Sequence, residues 1–125
     1  MVVVFIIIIM ALFIVSLIQN FIINEWVNTM FIKMDSYGKN ISAYAAMPSG
    51  IRHKGSNVYV DGYGNIYLEF TGNATPIYRC YNGDIDQVGN VKIYYSYDRS
   101  TNQVGSYKVY HADSGKVIEI NGVRF

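Results

Sequence analysis

Few side chains in this sequence could do chemistry, and their spacing decides what that chemistry would be. The histidines are His53 and His111, far apart in the chain. Neither has a Cys or His neighbour at ligand spacing, so no zinc site is expected. Asn82, Asp84 and Asp86 in "NGDIDQVGN" repeat the i, i+2, i+4 spacing of the first ligands of a calcium loop. A helix-loop-helix site would want Gly and Glu where Gln87 and Ile93 stand, so a polar turn is the expectation. The single thiol, Cys80, lies in a strand-like run and reads as a small buried hydrophobe. No G-x-S-x-G is present, and the carboxylates are scattered at strand ends. No catalytic residue, cofactor or metal is therefore expected, and the chain does not read as an enzyme. Two sequons occur, Asn40-Ile41-Ser42 and Asn73-Ala74-Thr75. Each asparagine is a candidate N-glycosylation site, Asn73 the better because "TGNATP" reads as a loop.

The elements that would carry these residues differ along the chain. Residues 1–24 hold almost nothing polar, and the first charge is Glu25. A helix of that length would span about 36 Å, enough for a bilayer core of roughly 30 Å. No basic residue precedes it, as a secretory signal would require. Over residues 25–47 an apolar stripe recurs at spacings of three and four, from Ile23 through Trp26, Val27, Met30, Phe31, Met34, Tyr37, Ile41, Tyr44 and Ala45. Lys33, Asp35, Lys39 and Asn40 fall mostly on the other side. The pattern predicts one helix over residues 1–47, ended at Pro48 and Gly50.

After residue 48 the period changes. Runs such as "NIYLEFTG", "VKIYYSYD" and "KVIEINGVRF" alternate and are rich in aromatic and β-branched residues. Hairpin signals stand at Asp61-Gly62-Tyr63-Gly64-Asn65 and Asp113-Ser114-Gly115. Ile66, Leu68 and Phe70 should share one face, with Tyr67 and Glu69 on the other; Ile118 and Ile120 should oppose Val117 and Glu119. The expected fold is α+β. A helical unit (residues 1–47, with a membrane or filament-core part at 1–24) packs on an antiparallel domain of five or six strands (residues 48–125). Trp26, Met30, Met34, Tyr37 and Ile41 would form the helix-to-sheet contact. A net charge of +1 argues against nucleic acid as a partner.

A wholly apolar then amphipathic helix followed by a small β domain resembles a type IV pilin. In that family a basic leader is cleaved just before the apolar segment, which would make Met1 the first mature residue. Phe5 stands where bacterial pilins usually carry glutamate, so the resemblance is closer to archaeal adhesion pilins and archaellins. It implies a major subunit of an extracellular filament used in adhesion or motility. The implied partners are copies of itself, the membrane before assembly, a leader peptidase and the pilus assembly machinery. Val4, Phe5, Ile8, Leu12, Phe13, Val15, Ile18 and Ile22 would form the filament core. The competing readings are a minor pseudopilin, a signal-anchored membrane protein with an extracytoplasmic β domain, and a virion coat protein.

Overall fold

Met30, Ile32 and Met34 alternate with Phe31 and Lys33, and the chain resolves that alternation as a strand. The structure is a computed structural model that describes residues 7–11 and 28–125. Residues 7–11 are helical. The rest is built from twelve strands in two antiparallel sheets. The first sheet contains β1 (Thr29–Met34), β2 (Ser42–Tyr44), β3 (Arg52–Gly55), β4 (Val58–Val60) and β5 (Ile66–Thr71), in the order β2-β1-β5-β4-β3. The second contains β6 (Ile77–Arg79), β7 (Ile85–Val88), β8 (Val91–Tyr95), β9 (Thr101–Val104), β10 (Tyr107–His111), β11 (Val117–Ile120) and β12 (Val123–Arg124), each paired with the next.

The expected α+β fold is thus corrected to a two-sheet β architecture. The helix predicted over residues 25–47 is absent where the chain is described: β1, a turn and β2 occupy residues 29–44. The reason lies in arithmetic. Met30 and Met34 are four apart, which shares a face in a strand as well as in a helix. Phe31 separates the two cases. It is buried on the opposite face, edge-on to the Tyr59 ring at 5.9 Å. Trp26 lies outside the described residues, as do Val4, Phe5, Leu12, Phe13, Val15, Ile18 and Ile22. Among the described residues, no helix is long and apolar enough to cross a membrane.

The two sheets share one core. Met30, Ile32, Met34, Val58, Ile66 and Leu68 from the first sheet pack with residues from β7 to β11 of the second, including Ile93, Val104 and Ile120. In register across the first sheet, Ile32 lies between Ala43 and Leu68, and Leu68 pairs with Val58. The expected alternation of β5 holds, with Ile66 and Leu68 in the core and Phe70 against it. Phe70 stacks on Tyr107 across the sandwich at 4.8 Å. Where β3 meets β12, a Cβ on Gly55 would stand 2.4 Å from Val123 Cγ2, so only glycine permits that approach.

The second sheet is a repeat. Residues 77–92, 93–108 and 109–124 align without gaps, from Ile77, Ile93 and Val109 at their starts to Lys92, Lys108 and Arg124 at their ends. Each copy shifts register at the same place, between Tyr78 and Arg79, Tyr94 and Tyr95, and Tyr110 and His111. The extra residue opposite each shift is Asp86, Asn102 or Ile118, the mark of a β-bulge. The bulge lets residues three apart face the core together: Ile85 with Val88, Thr101 with Val104, Val117 with Ile120. The expected alternation in the last strand is corrected accordingly, since Val117 is buried and Ile118 exposed.

Candidate functional site

Five turns of one design carry five of the eight carboxylates among the described residues. They span residues 35–39, 61–65, 80–84, 96–100 and 112–116. In each, the first residue's N–H donates to the fifth residue's carbonyl and the fourth residue's N–H donates back to the first. The fourth residue has positive φ every time: Gly38, Gly64, Gly83, Arg99 and Gly115. The two predicted hairpins are among them.

Three of the five turn aspartates, Asp35, Asp61 and Asp98, are committed to their own loops. Asp61 Oδ1 accepts the N–H groups of Tyr63 and Asn65, and its Oδ2 accepts the Asn65 amide and the Tyr67 hydroxyl at 2.9 Å. Burial acts to raise the Asp61 pKa, but these hydrogen bonds outweigh it and hold it at about 2. Burial and the same carboxylate push Tyr67 up to about 12. Asp35 repeats the arrangement with Tyr37, Lys39 and Asn40. Asp98 accepts from the Ser100 N–H and hydroxyl, which lowers its pKa.

The turn at 35–39 reaches across to the second sheet and locks there. Thr101 donates its N–H and its hydroxyl to the Gly38 carbonyl, at 2.9 and 3.0 Å. Val117 N–H donates to Ser36. A Cβ on Gly38 would lie 2.9 Å from Thr101 Oγ1 and 3.0 Å from His111 Cε1, on a backbone with φ of 73°. The His111 ring sits between the carbonyls of Gly115 (2.8 Å) and Thr101 (2.7 Å), so a proton on either nitrogen finds an acceptor. His53 packs edge-on against Tyr59.

Asp84 is held by Arg99 in a two-pronged pair, with Nε to Oδ2 at 2.9 Å and an NH2 to Oδ1 at 2.7 Å. Those hydrogen bonds keep its pKa low. Asn82 caps the Asp84 N–H. The Asn82-Asp84-Asp86 spacing therefore builds a turn and an ion pair. Among the described residues no group of three His, Cys, Asp or Glu side chains could hold a metal. Burial and then the nearby Asp86 carboxylate push the Cys80 thiol up, which disfavours the thiolate.

A cleft of about 310 Å³ opens beside the turn at 61–65. Arg52, Lys54, Tyr63, Lys116 and Phe125 line it over a floor that includes Val60 and Val117. No reading of the sequence singled out these cations. They stand as far apart as residues 52 and 116, and only the pairing of β3 and the close of the last repeat bring them together. The repeat period itself was the available signal for the three turns of the second sheet.

The predicted site residues scatter. Met30 and Met34 are fully buried in the core, Ile41 packs partly against it, and Tyr37 is exposed in the first turn. These four do not form a helix face, because residues 35–39 reverse the chain between Met34 and Ile41. Ile8 lies in the helical segment, exposed. Asn40 is exposed at φ of 57° just after the first turn, not on a helix. Asn73 is exposed, and its side-chain oxygen accepts from the Asn28 amide. No protein-family model, no curated protein and no solved structure matches this chain.

Proposed function

We propose that this chain is a structural subunit of the cell surface, a β-sandwich head carried on an apolar N-terminal segment through which copies assemble into a pilus-like filament. One observation carries the reading. The helical residues 7–11 are apolar on every side, and Ile7 and Met10 are 60% and 59% exposed in the single chain. Apolar surface of that kind is stable when covered, at about 25 cal/mol per Å² removed from water. Lipid covers it before assembly and neighbouring copies cover it afterwards. A contact of this kind between identical subunits that does not close generates a helical filament. The head supports a structural role, because Asp35, Asp61 and Asp98 are spent on their own loops and Asp84 on Arg99.

A second reading rests on β1. The strand begins at Thr29, so β1 and the turn after it occupy described residues where the pilin resemblance implies the second half of the helix. That favours a membrane-anchored β-sandwich. Expression of the gene in its native cell, followed by shearing and negative-stain microscopy, separates the two. The filament reading expects sheared filaments that contain the chain and vanish in Ile8→Asp. A chain that stays in the membrane pellet, with no filament in the sheared fraction, overturns it in favour of the anchor.

A further inference from the structure

The cleft beside the turn at 61–65 has no assigned role, and its charges are unbalanced. Arg52 and Lys54 enter from β3, Lys116 from the end of the turn that leads into β11. Among the described residues none of the three has a carboxylate within ion-pair distance, whereas Arg99 and Arg124 both do. Asp61 borders the cleft, but both its oxygens are turned into the 61–65 turn by four hydrogen bonds. The backbone around the cations is fixed. Arg52 pairs with Val60, and Lys116 closes its turn through its carbonyl and donates its N–H to the Ser114 hydroxyl. The charged ends alone remain uncommitted.

We infer that this cleft binds a single acidic sugar residue, with the sugar carboxylate held by Arg52, Lys54 and Lys116. A guanidinium takes a carboxylate in a two-pronged fork, and ammonium groups add charge-assisted hydrogen bonds. The volume fits one monosaccharide, since about 300 Å³ is the lower end of ligand pockets. The walls decide between a sugar acid and a bare inorganic anion. Val60, Ile66 and Val117 are buried beneath the cleft, but the exposed Phe125 ring offers apolar surface that phosphate would leave unused, while the C–H face of a pyranose covers it. Tyr63 stands at the rim with its ring exposed, able to close over the second face. The inference concerns the head alone and does not depend on how the chain is anchored or assembled.

The test is a titration of the full chain, in detergent micelles, with glucuronate, followed by amide NMR shifts. Saturable shifts at Ser36, Lys54 and Lys116 are expected. Lys116→Glu and, separately, Arg52→Gln should each weaken binding by about tenfold, the equivalent of about 1.4 kcal/mol. Both side chains are exposed, so melting temperatures should stay at the parent value and show that the fold is intact. Glucose and inorganic phosphate are the two control arms. Equal affinity for glucose overturns the role of the cations, and equal affinity for phosphate overturns the sugar. No saturation with glucuronate across the millimolar range overturns the site itself.

Discussion

Asp61 concentrates four hydrogen bonds on one carboxylate, and their removal has two separable consequences. Folded, its pKa is about 2 against an ordinary value of 3.8. The depressed value means the folded state prefers the ionised form. Its stabilisation is present in full above about pH 4 and fades as pH falls from there toward about 2. Asp61→Asn keeps the size of the side chain and removes the charge. We expect a loss of about 1–2 kcal/mol at neutral pH and a flatter dependence of Tm on pH between about 4 and 2. Thermal melts of both proteins across that range check this; parallel curves would refute it. Gly38 is a second pivotal residue. Alanine there must accept positive φ and push against both Thr101 and His111. Gly38→Ala should cost about 2–3 kcal/mol, read from chemical denaturation, and more than Gly50→Ala, whose Cβ would meet nothing within 4 Å.

The hairpin repeat makes a prediction about whole strands. Deleting a residue from a strand normally turns every following side chain to the wrong face. Asn102 is an exception, because it is the unpaired residue of a bulge between Thr101 and Gln103. Without it Thr101 and Val104 still face the core across a single outward residue. Deletion of Asn102 should therefore cost only about 1–2 kcal/mol, whereas deletion of Lys108 from β10 should abolish folding by turning Val109 outward. Circular dichroism with denaturant titration distinguishes the pair, and equal damage would sink the bulge argument. The same bulges explain what the sequence concealed. Strict alternation reads β5 correctly, since no irregularity interrupts Ile66 to Phe70. It misreads β11, where Ile118 is an inserted residue and both neighbours' faces shift. For β1 the error came from even spacings, which helix and strand share; Phe31 and the Asp35–Lys39 turn break the tie only once the pairing with β5 is known. The cationic cleft was illegible for a different reason. Its members are ordinary surface Lys and Arg residues until sheet closure juxtaposes them.

At the scale of the whole molecule, the core leaves neither sheet able to stand alone. Leu68 belongs to the first sheet and Ile120 to the second, both fully buried in the same cluster. The sheets are also tied by Thr101 to Gly38, Val117 to Ser36 and the Phe70–Tyr107 stack. A repeat array can in principle melt piecewise, since each unit contacts only its neighbours. Here buried residues of every repeat belong to the same core cluster as those of the first sheet, which couples them. The expectation is one cooperative transition for the described β unit. Leu68→Ala and Ile120→Ala should each destabilise by about 2–5 kcal/mol and shift that single transition as a whole. Hydrogen exchange on the full chain reads this directly. Amides of β5 and of β9 should lose protection by the same free energy in either variant. If Ile120→Ala loosened only β9 to β12 and left β1 and β5 at parental protection, the two sheets would be separate folding units and the shared core would be a contact between them.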